Sequence, residues 1–145
     1  MRFTVEAVCI SKKKGVQKHA VNSIRLIENF GIEKDAHAGD LQRQVSLLAA
    51  EAIDTMKAEG LKLDPGAFGE NIVTRGIDWT KAKIGDKIVI DHVEVEITQI
   101  GKECLTPCAI YYAVGRCIMP EMGIFAKVIK GGIIHADSCG DYRIR

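Results

Sequence analysis

The sequence predicts a mainly β fold, a closed or strongly curled β-barrel with a few short helices, and three observations carry that prediction. Short stretches of period-two alternation recur along the chain, two of them in pairs joined by tight connections, and only one segment has convincing helical periodicity. Near the N-terminus Phe3, Val5 and Ala7 alternate with Thr4, Glu6 and Val8, as in a half-buried strand. The helical segment runs from about Ala49 to Glu59, with Leu48, Ala52, Ile53 and Met56 along one stripe and Gly60 just after it. Ile72-Val73-Thr74 forms a further short strand after a glycine-punctuated loop. Ile88 to Ile90 and Val93 to Ile100 flank Asp91-His92, which predicts a hairpin. Phe125 to Lys130 and Ile133 to Ala136 flank Gly131-Gly132, which predicts a second, since glycine tolerates the positive φ of tight turns.

At 145 residues the chain fits a single domain spanning 1–145, large enough to bury roughly two-thirds of its unfolded surface. Twenty basic and 19 acidic side chains leave no excess charge to neutralise a phosphate backbone, so nucleic acid is not expected as a partner. The triplet Lys12-Lys13-Lys14 reads as a solvated turn. No apolar run approaches the ~18 residues of a membrane span, and Glu6 and the lysine triplet break any secretory leader. Five cysteines, an odd number without a leader, point to a reducing, cytoplasmic setting.

The most informative chemistry is a thiol at a predicted helix start. Thr106 suits an N-cap and Pro107 the first helical position, which places Cys108 in the first turn. There the free N–H groups and the helix dipole favour the thiolate, lowering its pKa below the usual value of about 8.5. Cys104 and Cys117 flank it at spacings C-x3-C and C-x8-C. With His135 and Cys139 these invite a zinc reading, but structural zinc favours two close pairs and only one loose pair is present, so no metal site is assigned. A Cys104–Cys108 disulfide is expected only as a transient. Cys9 lies on a strand pattern and reads as an inert core thiol. The chain has no phosphate-binding loop, dinucleotide fingerprint, zinc-protease or nucleophile-elbow motif, which removes the usual support for nucleotide hydrolysis, hydride transfer and proteolysis.

Several blocks of the chain together resemble one family. They are Asp35-Ala36-His37-Ala38-Gly39-Asp40, then Arg43-Gln44-Val45-Ser46-Leu47-Leu48, then Gly66 through Gly69-Glu70-Asn71-Ile72. Ile100 to Cys104, Pro107-Cys108, Gly115 to Pro120 and Gly123 to Gly132 continue the pattern in order. The chain resembles small, free-standing bacterial members of the MOSC family, named for the C-terminal domain of molybdenum cofactor sulfurase.

The resemblance implies a β-barrel-like fold and a link to sulfur and molybdenum-cofactor chemistry, with sulfur carried as a cysteine persulfide. Pro107-Cys108 fits the family's reactive cysteine better than Cys104. The expected partners are a cysteine desulfurase or a molybdenum-cofactor biosynthesis protein, as sulfur donor or acceptor. No pyridoxal-phosphate module is expected in a chain of this length. Arg43 and His37 are the candidates to stabilise a sulfur anion or an oxyanion, with Asp35 and Asp40 placed to orient the imidazole. Glu70 is a candidate proton-transfer group or an acceptor for loop N–H donors, and Gln44 and Asn71 either grip a ligand or satisfy turns.

Two functions therefore stand at this point. One is a sulfur carrier or sulfurtransferase with the persulfide on Cys108, resolved by Cys104 or Cys117. The alternative is a non-catalytic module that binds the molybdenum cofactor, molybdate or a pterin, with Cys108 as a molybdenum ligand. Reduction of N-hydroxylated substrates is a lesser third possibility.

Overall fold

A computed structural model describes residues 1–101, 115, 118 and 122–143 of the chain. Seven strands close into a barrel: β1 (Arg2–Ile10), β5 (Val45–Ala49), β6 (Ile72–Arg75), β7 (Lys87–Ile90), β8 (Val93–Ile100), β9 (Ile124–Lys130) and β11 (Cys139–Arg143). The ring order is β11-β7-β8-β9-β5-β6-β1, shut by antiparallel pairing of β1 with β11, where Arg2 faces Asp141. The β5–β6 pair is parallel, and the connection between those strands carries α1 (Ala50–Ala58). A short strand, β2 (His19–Val21), hangs on the C-terminal half of β1. A separate three-stranded sheet of β3 (Ser23–Ile27), β4 (Gly31–Ile32) and β10 (Gly132–His135) adds Ile24, Leu26, Ile32 and Ile134 to the barrel core.

The predicted alternation in β1 holds only as far as a bulge. The β1–β6 ladder slips between Val5 and Ala7, and beyond it the inward face passes from the odd to the even positions. Phe3, Val5 and Val8 thus pack in the barrel interior, while Ala7 and Cys9 join an outer layer under α1. The same two-sided burial runs through β5, β6 and β9: Leu47, Ile72 and Ile124 point inward and Leu48, Val73 and Phe125 outward. Ala52, Ile53 and Met56 of α1 cover that outer layer, as the helical stripe predicts. Each such Leu or Ile stabilises the fold by about 1.5–3 kcal/mol relative to leaving it exposed.

The hairpin at Asp91-His92 forms as expected, with Asp91 in the left-handed region at φ 52°. The one expected at Gly131-Gly132 does not. β10 pairs with β3, not with β9, because the chain turns away from the barrel at Gly131 and crosses close over Leu26. A Cβ on Gly131 would sit 2.5 Å from the Leu26 carbonyl oxygen, so the glycine is needed for the crossing more than for a turn. One end of the interior is filled by aromatic side chains. Trp79 packs edge-on to Phe3 at 5.5 Å and tilted against Tyr142 at 5.3 Å, and donates its indole N–H to Thr74.

Candidate functional site

The loops that follow β1 and β4 and precede β6 meet around one buried charged cluster. Lys18, at the end of the β1–β2 connection, and Asp35, just after β4, form an ion pair of 2.8 Å whose side chains are 1% and 0% exposed. Asp35 also accepts the Ser11 backbone N–H at 3.1 Å and the His37 backbone N–H at 3.2 Å. Burial alone would raise this carboxyl. The adjoining His37, the hydrogen bond and charge of Lys18, and the Ser11 N–H overcome it and hold Asp35 well below the usual carboxylate range.

His37 adjoins this pair, with Nδ1 at 3.1 Å from the Lys18 ammonium and 3.7 Å from Asp35. Of the two carboxylates expected to orient the ring, only Asp35 faces it. Asp40 instead accepts the backbone N–H groups of Gln42 and Arg43, at 2.9 and 2.8 Å, folding the loop on itself. Those two N–H groups hold its carboxyl below the ordinary range against the opposing effect of burial. The carbonyl of Gln42 accepts a hydrogen bond from the Thr98 hydroxyl, which ties the Arg43 loop to β8. Arg43 itself is half-buried.

Glu70 lies fully buried before β6 and accepts the Gly66 N–H at 2.8 Å and the Phe68 N–H at 3.0 Å, fixing the glycine loop. Burial raises its carboxyl, opposed by those N–H donors and by the charge of Lys18. The loop returns the constraint, since the Lys18 backbone N–H donates to the Gly66 carbonyl at 2.8 Å. Asn71 accepts from the Ser46 backbone and hydroxyl, both at 3.0 Å, and donates to the Cys9 carbonyl at 3.0 Å. Gln44 accepts the Val128 N–H at 3.0 Å. Both amides thus join neighbouring strands. Cys9 sits in the same buried neighbourhood, its thiol pushed up to about 12 by burial and by the charge of Glu70.

Cys104, Cys108 and Cys117, with the helix start predicted at Thr106-Pro107, lie outside the described residues. The described residues on either side of that segment are tied into the barrel and its outer layer. Ile100 ends β8 two residues after Thr98, and Gly101 donates its N–H to the Gly123 carbonyl at 2.7 Å. Ile118 is buried in the outer layer with Cys9 and Phe68. Among the described residues no group of three or more His, Cys, Asp or Glu is placed to hold a metal. A cavity of about 600 Å³ beside α1 is lined by Ala52, Ile77, Trp79, Ile100 and Met122 among others, and by none of His37, Arg43 or Glu70. Its apolar walls offer little chemistry.

Sequence reasoning missed Lys18. Its partner is 17 residues away, and four lysines lie within positions 12–18, so no local pattern separates the buried one from the exposed triplet.

The class these features define is structural: a closed seven-stranded barrel with a buried Lys18–Asp35 pair and a partly exposed His37 against it. The MOSC domain family model matches residues 33–138, and the chain belongs to that family. Membership implies a function related to the molybdenum cofactor. Among solved structures, the chain is similar to the YuaD protein from Bacillus subtilis, with a TM-score of 0.80 and 18% identity over 100% of this chain and 98% of that one. It is also similar to YiiM from Geobacillus stearothermophilus, with a TM-score of 0.75 and 18% identity over 99% of this chain and 76% of that one. YiiM from Escherichia coli follows at 0.68 and 20%, over 100% and 71%. These likenesses establish the fold. No curated protein sequence matches the chain. No helix among the described residues is long and apolar enough to cross a membrane.

Proposed function

We propose that this protein is a sulfur carrier or sulfurtransferase serving molybdenum-cofactor chemistry in the cytoplasm, with the sulfur held as a persulfide on Cys108. The observation that carries the reading is the family match over residues 33–138, which includes Cys104, Cys108 and Cys117 as well as His37, Arg43 and Glu70.

In the loading step the Cys108 thiolate attacks the terminal sulfur of a donor persulfide, such as that of a cysteine desulfurase. A new S–S bond forms on Cys108, the donor S–S bond breaks, and the donor leaves as a thiolate, so no outside oxidant is required. For release as sulfide, the thiolate of Cys104 or Cys117 attacks the inner sulfur of Cys108. A disulfide forms and HS⁻ departs, the two thiols supplying the two electrons that the sulfane sulfur gains. A cellular thiol then reduces the disulfide. His37 and Arg43 would stabilise the anionic sulfur or the oxyanionic acceptor, while Lys18, Asp35 and Glu70 hold the loops that carry them.

The residues present suit an anionic cofactor. His37 and Arg43 are not fully buried and can donate hydrogen bonds, and the carboxylates of Asp35, Asp40 and Glu70 are already engaged internally. A bound molybdenum cofactor would supply redox and sulfur-accepting chemistry. This donor-rich surface favours a second reading, in which the protein binds the cofactor, molybdate or a pterin without turnover and Cys108 ligates molybdenum.

Intact and peptide mass spectrometry of protein purified without reductant, with metal analysis of the same sample, separates the two. An added mass of about 32 Da on the Cys108 peptide supports the carrier. Stoichiometric molybdenum without added sulfur supports the binding module. Cys108→Ser should abolish loading by a cysteine desulfurase, and Cys104→Ser should accumulate the loaded form. Normal loading of Cys108→Ser would sink the assignment of the carrier thiol.

A further inference from the structure

We propose that His37 is a fixed hydrogen-bond donor to an oxyanion, presenting Nε2–H outward, and that Lys18 is the positioning residue that sets this tautomer. The ligand class rests on the anionic substrate or cofactor inferred above; the tautomer rests on the structure alone.

The argument is one of satisfying donors and acceptors. The Lys18 ammonium has three N–H groups and no lone pair. Three acceptors surround it: Asp35 Oδ1 at 2.8 Å, His37 Nδ1 at 3.1 Å and Ser11 Oγ at 3.4 Å. An imidazole nitrogen at 3.1 Å from an ammonium must offer its lone pair, so in the neutral ring the proton is on Nε2. Turning the ring over would replace this bond with a C–H group facing the ammonium, a worse arrangement. Among the described residues the carboxylate oxygen nearest Nδ1, Asp35 Oδ2, is 3.7 Å away, beyond hydrogen-bond reach, and it already accepts the His37 backbone N–H. Asp35, at 2.8 Å, in turn holds the Lys18 ammonium in place.

The rest of the ring faces out. Lys18 and Asp35 are 1% and 0% exposed while the His37 side chain is 24% exposed, so the exposed portion is the edge away from Nδ1. Nε2 has no partner among the described residues. The local charge favours an anion. Asp35 neutralises Lys18, and the charges of Arg43 and Lys14 act together on the single carboxylate of Asp40 in the adjoining loop, so the cations here outnumber those two carboxylates. An N–H donor of fixed direction, with a guanidinium on the same loop, suits a phosphate or molybdate oxygen.

The test is a long-range ¹H–¹⁵N correlation of histidine-labelled protein at mildly alkaline pH, with His37 assigned by its loss in His37→Gln. The expected result is a pure Nε2–H tautomer for His37, and a mixed tautomer in Lys18→Met. If that variant does not fold, Lys18→Met combined with Asp35→Leu removes both charges and should give the same mixture. Inorganic phosphate and molybdate, added separately, should shift the His37 Nε2 signal and leave His92 and His135 unmoved; whichever anion acts at lower concentration identifies the better ligand. A wild-type proton on Nδ1, or a mixture, overturns the lock. A pure Nε2–H tautomer that neither anion perturbs overturns the oxyanion role. Persulfide loading of Cys108 on the same preparation keeps the two proposals apart, since loading with the wrong tautomer sinks only this one, and a locked, anion-responsive ring without loading sinks only the carrier.

Discussion

Gly66 lies against the main chain of Lys18 so closely that a Cβ on it would stand 2.3 Å from the Lys18 carbonyl oxygen. The neighbouring atoms are backbone and cannot move aside as a side-chain tip would. Gly66 also has φ of +93°, a conformation that L residues rarely adopt. Gly66→Ala should therefore cost about 1–3 kcal/mol by overpacking, with a further penalty for the backbone. Because the displaced residue is Lys18, the His37 environment should change with it. Urea denaturation and the His37 resonances check the two effects, and a variant as stable as the parent would refute the packing argument.

The Lys18–Asp35 pair predicts a non-additive mutational cycle. Removing either partner leaves a buried charge without compensation and should destabilise by about 3–5 kcal/mol. Removing both, as Lys18→Met with Asp35→Leu, should cost much less than the sum of the singles. Additive losses would mean that the two side chains do not interact.

Acid should weaken the fold through Asp35. Its folded carboxyl is held below the unfolded value of about 3.9, so its stabilisation is complete above that pH and is lost as pH falls through the folded value. Stability measured by denaturant should fall below about pH 4, with a shallower slope in the Lys18→Met/Asp35→Leu protein. Glu70 works in the opposite sense: burial raises its folded carboxyl, so its contribution declines as pH rises through that raised value. Equal acid slopes in parent and double variant would remove Asp35 from this account.

Cysteine reactivity should divide sharply. Cys9 is 0% exposed with its thiol pushed up to about 12, so iodoacetamide at neutral pH should leave it unmodified in the folded protein. Cys139 is exposed and should react at an ordinary rate, with Cys108 fastest if its thiolate is stabilised as proposed. Peptide mapping over time gives the order, and alkylation of Cys9 as fast as Cys139 would contradict its burial.

The strand alternation, the Asp91-His92 hairpin and α1 were legible because each depends on neighbours within a few residues. The bulge in β1 was not, since a slip against β6 leaves no mark in the local pattern, and it moved Val8 inward and Ala7 outward. The partner of β10 was missed for a similar reason. Gly131-Gly132 signals a sharp change of direction, but not which strand lies beyond it. The signature blocks singled out His37, Arg43 and Glu70 as candidates, and the sequence proximity of Asp35 to His37 pointed to the contact between them. Lys18 was hidden because burial among distant residues, and not sequence spacing, separates it from its exposed neighbours.

The closure of β1 on β11 also governs the timing of folding. Arg2 and Asp141 are partners in one ladder, so β1 must wait for a strand far along the chain before this edge is covered. On the ribosome, β1 can pair early with β2, but its free edge toward β11 stays open to other chains until β11 has been made. A barrel sealed by such a distant pairing is expected to fold slowly for its size, and to depend on chaperones most when β11 is truncated or delayed.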